Sequence, residues 1–385
     1  MKRLVLAGAG HAHAQVLLDW ARAPLRGVEL LVVSPHALAP YSGMVPGWLS
    51  GAYRFEQIAI DFPALCRAAG AQWIEGEIHG LDAAGRRLRL GNGDQLEYEL
   101  LSLNIGSTLT PQADGPASIL SLRPLSELRP AYEGLLARWV NDPCKRPITI
   151  TAVGGGAAGF ESLLAVRARL QSLRPDRAVH ASLVTRGTTL LPDLSPAARR
   201  AALRTLQRAD VTLQVGVAWS DTAAQSSQLV LWATGAEAHA WQRDPERRGP
   251  LAVSERGFVR VDAQLRSLSH PEVFAVGDCA EWATPLPKAG VYAVRMGPVL
   301  SHNLRAALGQ GQPRAYQPQG RYLVLLSTSD GRAIASRGAL GGQGRWAWCL
   351  KDHIDRRFVA RFAVGSRALH SDQPEGPGPA SNPSV

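Results

Sequence analysis

The sequence has few cysteines, and no two of them are close together. The four are Cys66, Cys144, Cys279 and Cys349, and no Cys-x-x-Cys motif occurs in the 385 residues. This absence excludes the common spacing of zinc ligands and a thioredoxin-like dithiol, and no metal site is expected. Cysteines so few and so scattered favour a reducing compartment.

Long hydrophobic runs are also absent. No stretch reaches the ~18 apolar residues of a membrane-spanning helix. Glycines interrupt the first apolar run, so it does not have the form of a signal peptide. We therefore expect a cytoplasmic protein.

Acidic residues are outnumbered by basic ones. The chain has 32 Asp and Glu against 42 Lys and Arg, and its net charge is +10. The arginines are spread along the whole chain, and no nucleic-acid-binding motif occurs. We therefore expect no nucleic acid as a partner, and the charge suits anionic cofactors or an anionic membrane surface.

What the sequence does contain is two glycine-rich turns, each between an apolar run and a helical pattern. The first is Leu4–His13 (LVLAGAGHAH) and the second is Ile148–Glu161 (ITITAVGGGAAGFE). The second glycine of such a turn lets a pyrophosphate approach the backbone at the start of the following helix. Two turns indicate two dinucleotide sites in one chain.

The first turn departs from the dinucleotide-binding fingerprint at two points. His13 stands where the third glycine is expected. Ser34, followed by Pro35, stands where an Asp or Glu usually holds the ribose. Both departures weaken the motif when it is taken alone.

The second turn has all three glycines, Gly154, Gly156 and Gly159. The strand after it ends in Thr185 and Arg186, again without an acid. Arg186 either meets a 2′-phosphate, which favours NADPH, or is a solvated loop residue.

The chain repeats one pattern around the two turns: strand, glycine turn, helix, strand, and a later strand that ends near a glycine. The later strands are Leu100–Gly106 (LLSLNIG) and Leu229–Gly235 (LVLWATG). The repeat predicts an α/β fold with two nested Rossmann-like three-layer domains, and a small β-hairpin and helix region at the C-terminus.

The predicted boundaries follow from this repeat. Residues 1–120 and 251–312 form the first dinucleotide-binding domain, and residues 121–250 form the second. Residues 313–370 hold the hairpin and an amphipathic helix. Residues 371–385 are rich in Pro, Gly, Ser and Asn and are predicted to be disordered.

Four further segments have sequence patterns that predict their local structure. Trp73–Leu103 reads as a β-meander with a hairpin turn at Asn92-Gly93-Asp94. Pro298 suits the first turn of a helix that ends near Leu308. Arg321–Ser327 and Ala333–Ala339 read as a hairpin. Pro40–Gly51 (PYSGMVPGWLSG) is a structured loop, either against a flat cofactor or as a plain turn.

Arg345–Phe362 predicts an amphipathic helix. Its apolar stripe has i+4 spacing, and four cations lie beside or opposite it. The stripe is Trp346, Leu350, Ile354, Phe358 and Phe362, and the cations are Lys351, Arg356, Arg357 and Arg361. Segment 345–362 either lies on the inner face of an anionic membrane or packs on the protein's own sheet or on a second subunit of a homodimer.

Taken in order, these motifs resemble the flavoproteins with two dinucleotide-binding domains in the pyridine nucleotide-disulfide oxidoreductase family. That family includes type II NADH dehydrogenases and sulfide:quinone oxidoreductases. The longer strings resemble, more narrowly, the flavoprotein domain fused ahead of selenide, water dikinase. Those strings are GAGHAH, PYSGMVPGWLSG, LSLNIGS, PKAGVYAVRMGP and GRWAWCLKDHIDRRF.

The resemblance implies where two cofactors bind. FAD would be held from the first turn and from the AVGD string, and Met44 and Pro46 would cover its ring system. The implied FAD residues are Gly8, Gly10, His11, His13, Ser34, Pro35, Met44, Pro46, Gly106, Ser107, Gly277, Asp278, Val291 and Tyr292. NADH or NADPH would contact Gly154, Gly156, Gly159, Arg186 and Gly235.

Several of these assignments have a plain structural alternative. His11 and His13 would be core or capping histidines, and the Gly277-Asp278 pair would be a simple turn. Glu161 would orient the nicotinamide or relay a proton, or would only be an acid in the first turn of a helix. Lys288 would stabilise the reduced flavin ring or would be a solvated lysine.

The resemblance implies an oxidoreductase that passes hydride from the nicotinamide to FAD and then electrons to a second acceptor, with a quinone preferred. A reductase of selenium or sulfur metabolism is a second possibility. A third is a flavoprotein that senses or scaffolds with little turnover. The scattered cysteines do not provide the redox pair of the family's disulfide reductases.

Overall fold

The computed structural model describes residues 1–111, 117–221 and 227–364. Up to residue 103 it alternates strands and short helices around one parallel sheet. The elements of this part are β1 (Lys2–Ala7), α1 (His11–Arg22), β2 (Val28–Ser34), β3 (Leu38–Pro40), α2 (Val45–Leu49), α3 (Phe55–Ile58), β4 (Ala59–Asp61), α4 (Phe62–Ala69), β5 (Gln72–Glu75), β6 (Ile78–Asp82), β7 (Arg87–Leu90), β8 (Gln95–Glu97) and β9 (Leu100–Leu103).

A second parallel sheet follows. Its elements are β10 (Ser118–Ser121), α5 (Leu125–Asn141), β11 (Ile148–Val153), α6 (Ala157–Leu173), β12 (Val179–Thr185), α7 (Pro196–Arg208), β13 (Val211–Val215) and β14 (Leu229–Trp232).

The chain then returns to the first sheet and ends in a small antiparallel sheet and a helix. These elements are α8 (Ala240–Arg243), α9 (Pro245–Arg248), β15 (Val259–Arg260), β16 (Val273–Ala275), β17 (Ala280–Glu281), α10 (Gly290–Ala307), β18 (Val324–Ser327), β19 (Ala333–Arg337), β20 (Leu340–Gly344) and α11 (Arg345–Ala360).

The two large sheets have matching topologies. Their strand orders are β16-β9-β1-β2-β5 and β10-β14-β11-β12-β13, and each glycine turn follows the central strand of its sheet. Residues 4–7 of β1 are apolar and fully buried because both faces of the parallel sheet are covered. The predicted α/β fold with two Rossmann-like units is confirmed.

The first sheet is the middle of three layers. Helices α1, α4 and α10 cover one face with an apolar cluster that includes Leu17, Phe62 and Leu300. The antiparallel strands β6–β8 and the segment around β15 cover the other face, where Leu81 and Val259 are fully buried. Both layers hold the carboxyl ends of β1 and β9 in place.

Two predicted boundaries were wrong. Trp73 lies in β5 of the parallel sheet, so the meander is limited to β6–β8, although its turn at Asn92-Gly93-Asp94 is confirmed. Strand β10 pairs with β14, so the second sheet begins at Ser118 and not after residue 120. The predicted structured loop Pro40–Gly51 is interrupted by a 3₁₀ turn at Ser42–Met44 and by helix α2.

The helix expected to start at Pro298 begins two turns earlier, at Gly290, and Pro298 lies inside it. Proline inside a helix removes one backbone hydrogen bond. Packing on α1 outweighs that cost: a Cβ at Gly297 would lie 2.9 Å from Cβ of Gln15, so the two helices are in close contact there.

The C-terminal hairpin is confirmed and has a third strand, β20. In the described part of the chain, no helix is long and apolar enough to cross a membrane. The predicted tail 371–385, and residues 365–370 of the last predicted region, lie outside the described residues.

Helix α11 exposes only part of its predicted stripe. Trp346, Leu350 and Ile354 are exposed, whereas Phe358 is half-buried and Phe362 is buried. At 3.6 residues per turn, each i+4 step rotates about 40°, so five positions turn through about 160°. The two phenylalanines therefore face the first domain's core, and Lys351 faces inward instead of flanking an exposed face.

Candidate active site

Asn104, which follows β9, holds the glycine turn between β1 and α1. Its Oδ1 accepts hydrogen bonds from the backbone N–H of Ala12 at 3.1 Å and of His13 at 3.4 Å, and its Nδ2 donates to the Val276 carbonyl at 3.1 Å. A Cβ at Gly10 would lie 2.1 Å from Asn104 Oδ1. Gly10 is therefore required by the contact with Asn104, whereas the sequence analysis attributed it to the approach of a pyrophosphate.

The turn itself fits a bound pyrophosphate. Gly8 has a φ of +101°, which a side chain would strain, and a Cβ there would lie 2.5 Å from the Asn104 carbonyl oxygen. The backbone N–H groups of Ala9, Gly10 and His11 have no hydrogen-bond acceptor in the described part of the chain. The start of α1 thus offers three donors and the positive end of its dipole to an anion.

His13 is a structural residue, and its prediction as a cofactor ligand was wrong. Its Nδ1 lies 2.7 Å from the Gly8 carbonyl oxygen and its Nε2 lies 2.8 Å from Ser102 Oγ. Burial lowers the pKa of the ring to about 4, so it is neutral at pH 7. Both ring nitrogens are used to join the turn to β9, and the ring fills the place of the third glycine.

His11 remains at the edge of the site. Its half-buried ring lies 5.4 Å from the Tyr41 ring and 6.1 Å from the Phe358 ring, measured between centroids. Burial lowers its pKa to about 4, against the opposing charge of Asp278. A neutral His11 between the glycine turn and these aromatic rings is compatible with the predicted contact to FAD.

Asp278 lies in a 3₁₀ turn after β16 and is paired with an arginine that the sequence analysis missed. Arg123 forms an ion pair with Asp278, donates to Ser107 Oγ, and donates to the Lys288 carbonyl at 3.1 Å. The only sequence signal was an arginine directly after strand β10. Asp278 and Ser107 thus lie close together around Arg123, and their contacts with FAD stay a prediction.

Lys288 has protein partners for its ammonium. Its Nζ donates to the Ala280 carbonyl at 2.6 Å and lies 3.7 Å from the centroid of the Phe258 ring. Burial lowers its pKa. These contacts hold the segment before α10 against β17, and a role of Lys288 at the flavin stays a prediction.

Val291 and Tyr292 lie in the first turn of α10, because that helix begins at Gly290. A Cβ at Gly290 would lie 2.4 Å from Ser42 Oγ, so the start of α10 touches the 3₁₀ turn at Ser42–Met44. The helix terminus that faces the site is therefore at Gly290 and not near Pro298.

Met44 and Pro46 were wrongly predicted to cover the flavin ring. Both are buried, Met44 completely, and Met44 belongs to the apolar cluster that includes Tyr132. A side chain with no accessible surface has no face left for a cofactor. The half-buried residues 41–43 are the part of this segment that stays accessible.

The remaining predicted residues of the first site lie at carboxyl ends of strands. Ser34 is buried at the end of β2, next to Pro35, and stands in register with Glu75 of β5. A carboxylate at this edge of the sheet is therefore supplied by the neighbouring strand. Gly106 follows β9 with a φ of +71° and open space around its Cα.

The three glycines of the second turn differ in the space around them: two are tightly packed, and one faces open space. A Cβ at Gly154 would lie 2.5 Å from the Ala233 carbonyl oxygen, and one at Gly159 would lie 2.1 Å from the Gly154 carbonyl oxygen. A Cβ at Gly156 would meet nothing within 4 Å. The N–H groups of residues 155–158 have no acceptor in the ranges that the structure describes, so Gly156 faces open space beside free donors.

Two further predicted residues flank this turn. Gly235 follows β14 with a φ of +75°, beside open space. Arg186 is exposed, and its side chain has no hydrogen bond or ion pair within the described residues. Thr185 Oγ1 accepts the Gly187 N–H at 3.2 Å and so orders the turn that presents Arg186. Residues 184–192 contain no carboxylate.

Glu161 is buried on α6 and joins the second domain to the C-terminal sheet. Its Oε1 accepts the Ser327 N–H at 2.6 Å. Burial raises its pKa to about 7, against the nearby positive charge of Lys351. An acid whose pKa is raised into the neutral range is suited to proton transfer.

Lys351 and Asp355 of α11 complete this cluster, and the sequence analysis missed both roles. Lys351 Nζ donates to Asp355 Oδ2 at 2.7 Å and to the Gly43 carbonyl at 2.6 Å. The available signal was an opposite pair of charges at i,i+4 in a helix, which usually indicates a solvated face. The pair connects α11 to the accessible segment 41–43.

The cysteines provide no redox pair. All four are free, and Cys66 and Cys279 are buried. Cys279, next to Asp278, donates its thiol to the Val276 carbonyl, and burial raises its pKa to about 11. A buried thiol with a raised pKa is not a nucleophile at neutral pH. The described residues also contain no cluster of His, Cys, Asp and Glu that could hold a metal ion.

The family model of pyridine nucleotide-disulphide oxidoreductases matches residues 2–297, which include both glycine turns and Asp278. The chain belongs to this family. It is an FAD-dependent NAD(P)H oxidoreductase, and FAD and NAD(P)H are its cofactors.

Individual relatives are distant. The chain is 23% identical to human ferroptosis suppressor protein 1 over 278 residues, which are 67% of this chain and 69% of the relative. It is 22% identical to an alternative NAD(P)H-ubiquinone oxidoreductase of Arabidopsis thaliana, over 88% and 74% of the two chains. The NDH2 structure from Plasmodium falciparum superimposes with a TM-score of 0.76 at 12% identity, over 94% and 97%.

Replacement of Gly156 tests the second site without disturbing the first. Gly156→Val should leave folding and FAD content unchanged, because its side chain enters open space. It should abolish reduction of the flavin by NAD(P)H, because it blocks the free N–H groups. Anaerobic bleaching of the flavin absorbance measures this.

Gly159→Val is the contrasting control, since its Cβ would collide with the Gly154 carbonyl and should lower stability. Normal bleaching of the Gly156→Val protein would show that the nucleotide binds elsewhere.

Proposed function

We propose that this oxidoreductase passes electrons from NAD(P)H to a quinone. The observation that carries the proposal is the buried Glu161, which lies near Lys351 at the segment that contacts the start of α10. Quinone reduction consumes two protons, so a buried acid that titrates near pH 7 has a task there. The Arabidopsis relative is an NAD(P)H-ubiquinone oxidoreductase, which supports the same acceptor class.

The chain's own residues would hold FAD in the first domain. Ala9, Gly10 and His11 would donate backbone N–H bonds to its pyrophosphate, and Asp278 would accept from its ribitol hydroxyls. Arg123 pairs with Asp278 and so offsets its negative charge in a site for an anionic cofactor. FAD supplies the hydride-accepting ring, which releases electrons to the second substrate.

Glu161 can act in either half of the reaction. Its hydrogen bond to Ser327 and its proximity to Lys351 place its carboxyl on the side of the C-terminal sheet and α11. We therefore assign it to proton delivery to the acceptor and not to orientation of the nicotinamide. Lys351, fixed by the Gly43 carbonyl, would hold an acceptor oxygen by its charge.

Glu161→Gln separates the two halves. The amide can still accept the Ser327 N–H, so the fold and the rate of flavin reduction by NAD(P)H should stay within a few-fold of wild type. Reoxidation of the reduced flavin by a water-soluble quinone should slow by about 10²–10³, the range of general acid catalysis, and its pH dependence near 7 should disappear. Stopped-flow absorbance measures both rates.

The opposite pattern, with slow reduction and normal reoxidation, would assign Glu161 to the nicotinamide. A second candidate function is a reductase of selenium or sulfur compounds, which rests on the resemblance to the flavoproteins fused ahead of selenide, water dikinase. Reoxidation by an oxidised sulfur or selenium compound, with none by a quinone, would favour that candidate.

We further propose that the nucleotide is NADPH. Residues 186–192, directly after β12, contain no carboxylate for a ribose 2′-hydroxyl, although Asp193 follows them, and the exposed Arg186 has no partner among the described side chains. An arginine at this point suits a 2′-phosphate, which accepts a bidentate pair of hydrogen bonds.

Arg186→Glu should raise the KM for NADPH about 10- to 100-fold, the equivalent of ~1.5–3 kcal/mol for a hydrogen bond to a charged group. The KM for NADH should change little. Steady-state kinetics with both nucleotides measure the ratio, and Arg200→Glu on α7 is a control of the same charge change. An unchanged preference would make Arg186 a solvated loop residue.

We also propose that the exposed part of α11 rests on an anionic membrane surface. Trp346, Leu350 and Ile354 are 57%, 38% and 41% exposed, and Leu340 at the β19–β20 turn is 78% exposed. Exposed arginines lie on α11 itself and on α7, and both helices pack against β20; they are Arg345, Arg357, Arg200, Arg204 and Arg208. Apolar side chains within a cationic rim suit lipid headgroups.

Vesicle co-sedimentation tests this contact. Wild type should bind anionic vesicles, and binding should weaken with salt. Trp346→Ser combined with Ile354→Ser should remove binding, because these side chains supply the apolar face. Leu268→Ser, at an exposed leucine between β15 and β16, is the control. Dimers in place of vesicle binding would mean that the face covers a second copy of the chain.

A further inference from the structure

Helix α11 buries charge and exposes apolar side chains. The side chains of Lys351 and Asp355 are 7% and 8% exposed, whereas Trp346 and Ile354 are largely accessible. Burying an ion pair is costly, and an apolar pair of similar volume is often more stable. Stabilisation of the fold therefore does not explain why the Lys351–Asp355 ion pair is buried.

Asp355 holds Lys351 in one place. The ammonium lies between Asp355 Oδ2 at 2.7 Å and the Gly43 carbonyl at 2.6 Å. Within the described residues, no other carboxylate lies within 4 Å of Lys351 Nζ. Without Asp355, the flexible lysine side chain would keep a single acceptor.

We infer that Asp355 is a positioning residue for reduction of the second substrate: it fixes the Lys351 ammonium at segment 41–43 and partly offsets the effect of that positive charge on Glu161. The inference rests on the proposed function, in which Glu161 delivers a proton to a quinone. In that proposal Glu161 and Lys351 contact the quinone. Asp355 is a third residue, which acts on the reaction through Lys351.

The charges around Glu161 give the direction of each effect. Glu161 is faced by Lys351 and Asp355 of α11 and by the Ser327 N–H of β18. Lys351 lowers the pKa of Glu161, and Asp355 raises it by a smaller amount. Asp355 is faced by Lys351 and by the neighbouring Asp352, and its charge also acts on Tyr41.

These signs predict opposite results for two variants. Asp355→Asn removes the negative charge, so Lys351 acts unopposed and the pKa of Glu161 falls. Lys351→Met combined with Asp355→Leu removes both charges, so the larger effect of the lysine is lost and the pKa of Glu161 rises. The charges of the pair produce these shifts whatever its role, so the pH profile of quinone reduction must shift with the pKa of Glu161 to show that the pair acts on the reaction.

The experiment uses the FAD-loaded protein with ¹³C-labelled glutamate. The carboxyl chemical shift of Glu161, assigned from its absence in Glu161→Gln, is followed against pH. In parallel, reoxidation of the reduced flavin by a water-soluble quinone is measured over the same pH range. Asp352→Asn is the matched control, since it removes an equal charge on the same helix outside the buried pair.

We expect the Asp355→Asn midpoint to move to lower pH by about 0.5–1.5 pH units, the effect of a unit charge several ångströms away in a protein interior. The alkaline limit of quinone reduction should move with it, and flavin reduction by NAD(P)H should be unchanged. The double variant should move to higher pH, and Asp352→Asn should not move.

An unchanged midpoint in folded Asp355→Asn, or equal shifts in Asp355→Asn and Asp352→Asn, would overturn the inference. If Asp355→Asn does not fold, the double variant decides: an unchanged or lower midpoint overturns the inference. A wild-type protein that titrates as described but never reduces a quinone would refute the proposed function and leave the electrostatic part of the account standing.

Discussion

The side-chain amide of Asn104 is the contact on which the first domain depends. It caps the start of α1, bonds to the Val276 carbonyl just after β16, and packs against Gly10 and Gly277. Three chain segments from distant parts of the sequence are thereby held at one sheet edge. The free N–H groups of the turn and the carboxylate of Asp278 face the same site because of this arrangement.

Elements with local causes could be predicted from the sequence. The β1–α1–β2 unit, both glycine turns and the hairpin at Asn92-Gly93-Asp94 follow from strand and helix periodicity and from glycines at positive φ. The dinucleotide-binding role of the two glycine turns could be predicted as well, because each turn lies at the carboxyl end of a strand. Glu161 was singled out by the resemblance to type II NADH dehydrogenases, because it stands two residues after Gly159.

Contacts between distant residues could not be predicted. The pairing of Arg123 with Asp278 joins β10 to the turn after β16, and nothing near Arg123 in the sequence indicates it. His13 was misassigned because its two partners, Gly8 and Ser102, meet only in the folded chain. Met44 was misassigned because the apolar cluster in which it is buried includes residues far along the chain, such as Tyr132.

Helix α11 has one feature that could be predicted from the sequence and one that could not. Its existence and length followed from the i+4 pattern, but the stripe rotates around the helix, so the apolar positions divide between a solvent face and the core. The inward charges of Lys351 and Asp355 then lie beside Glu161. One helix thus links a candidate membrane surface to the buried acid.

The central claim is that the flavin is the sole two-electron centre of this chain, because its cysteines are free and scattered. Anaerobic titration of the purified FAD protein with NADPH or NADH tests this most directly, with the absorbance of oxidised flavin as the readout. The account predicts complete bleaching by one equivalent of nucleotide per flavin, and recovery of the absorbance on addition of a quinone. Consumption of two equivalents would reveal a hidden disulfide partner and would contradict the account.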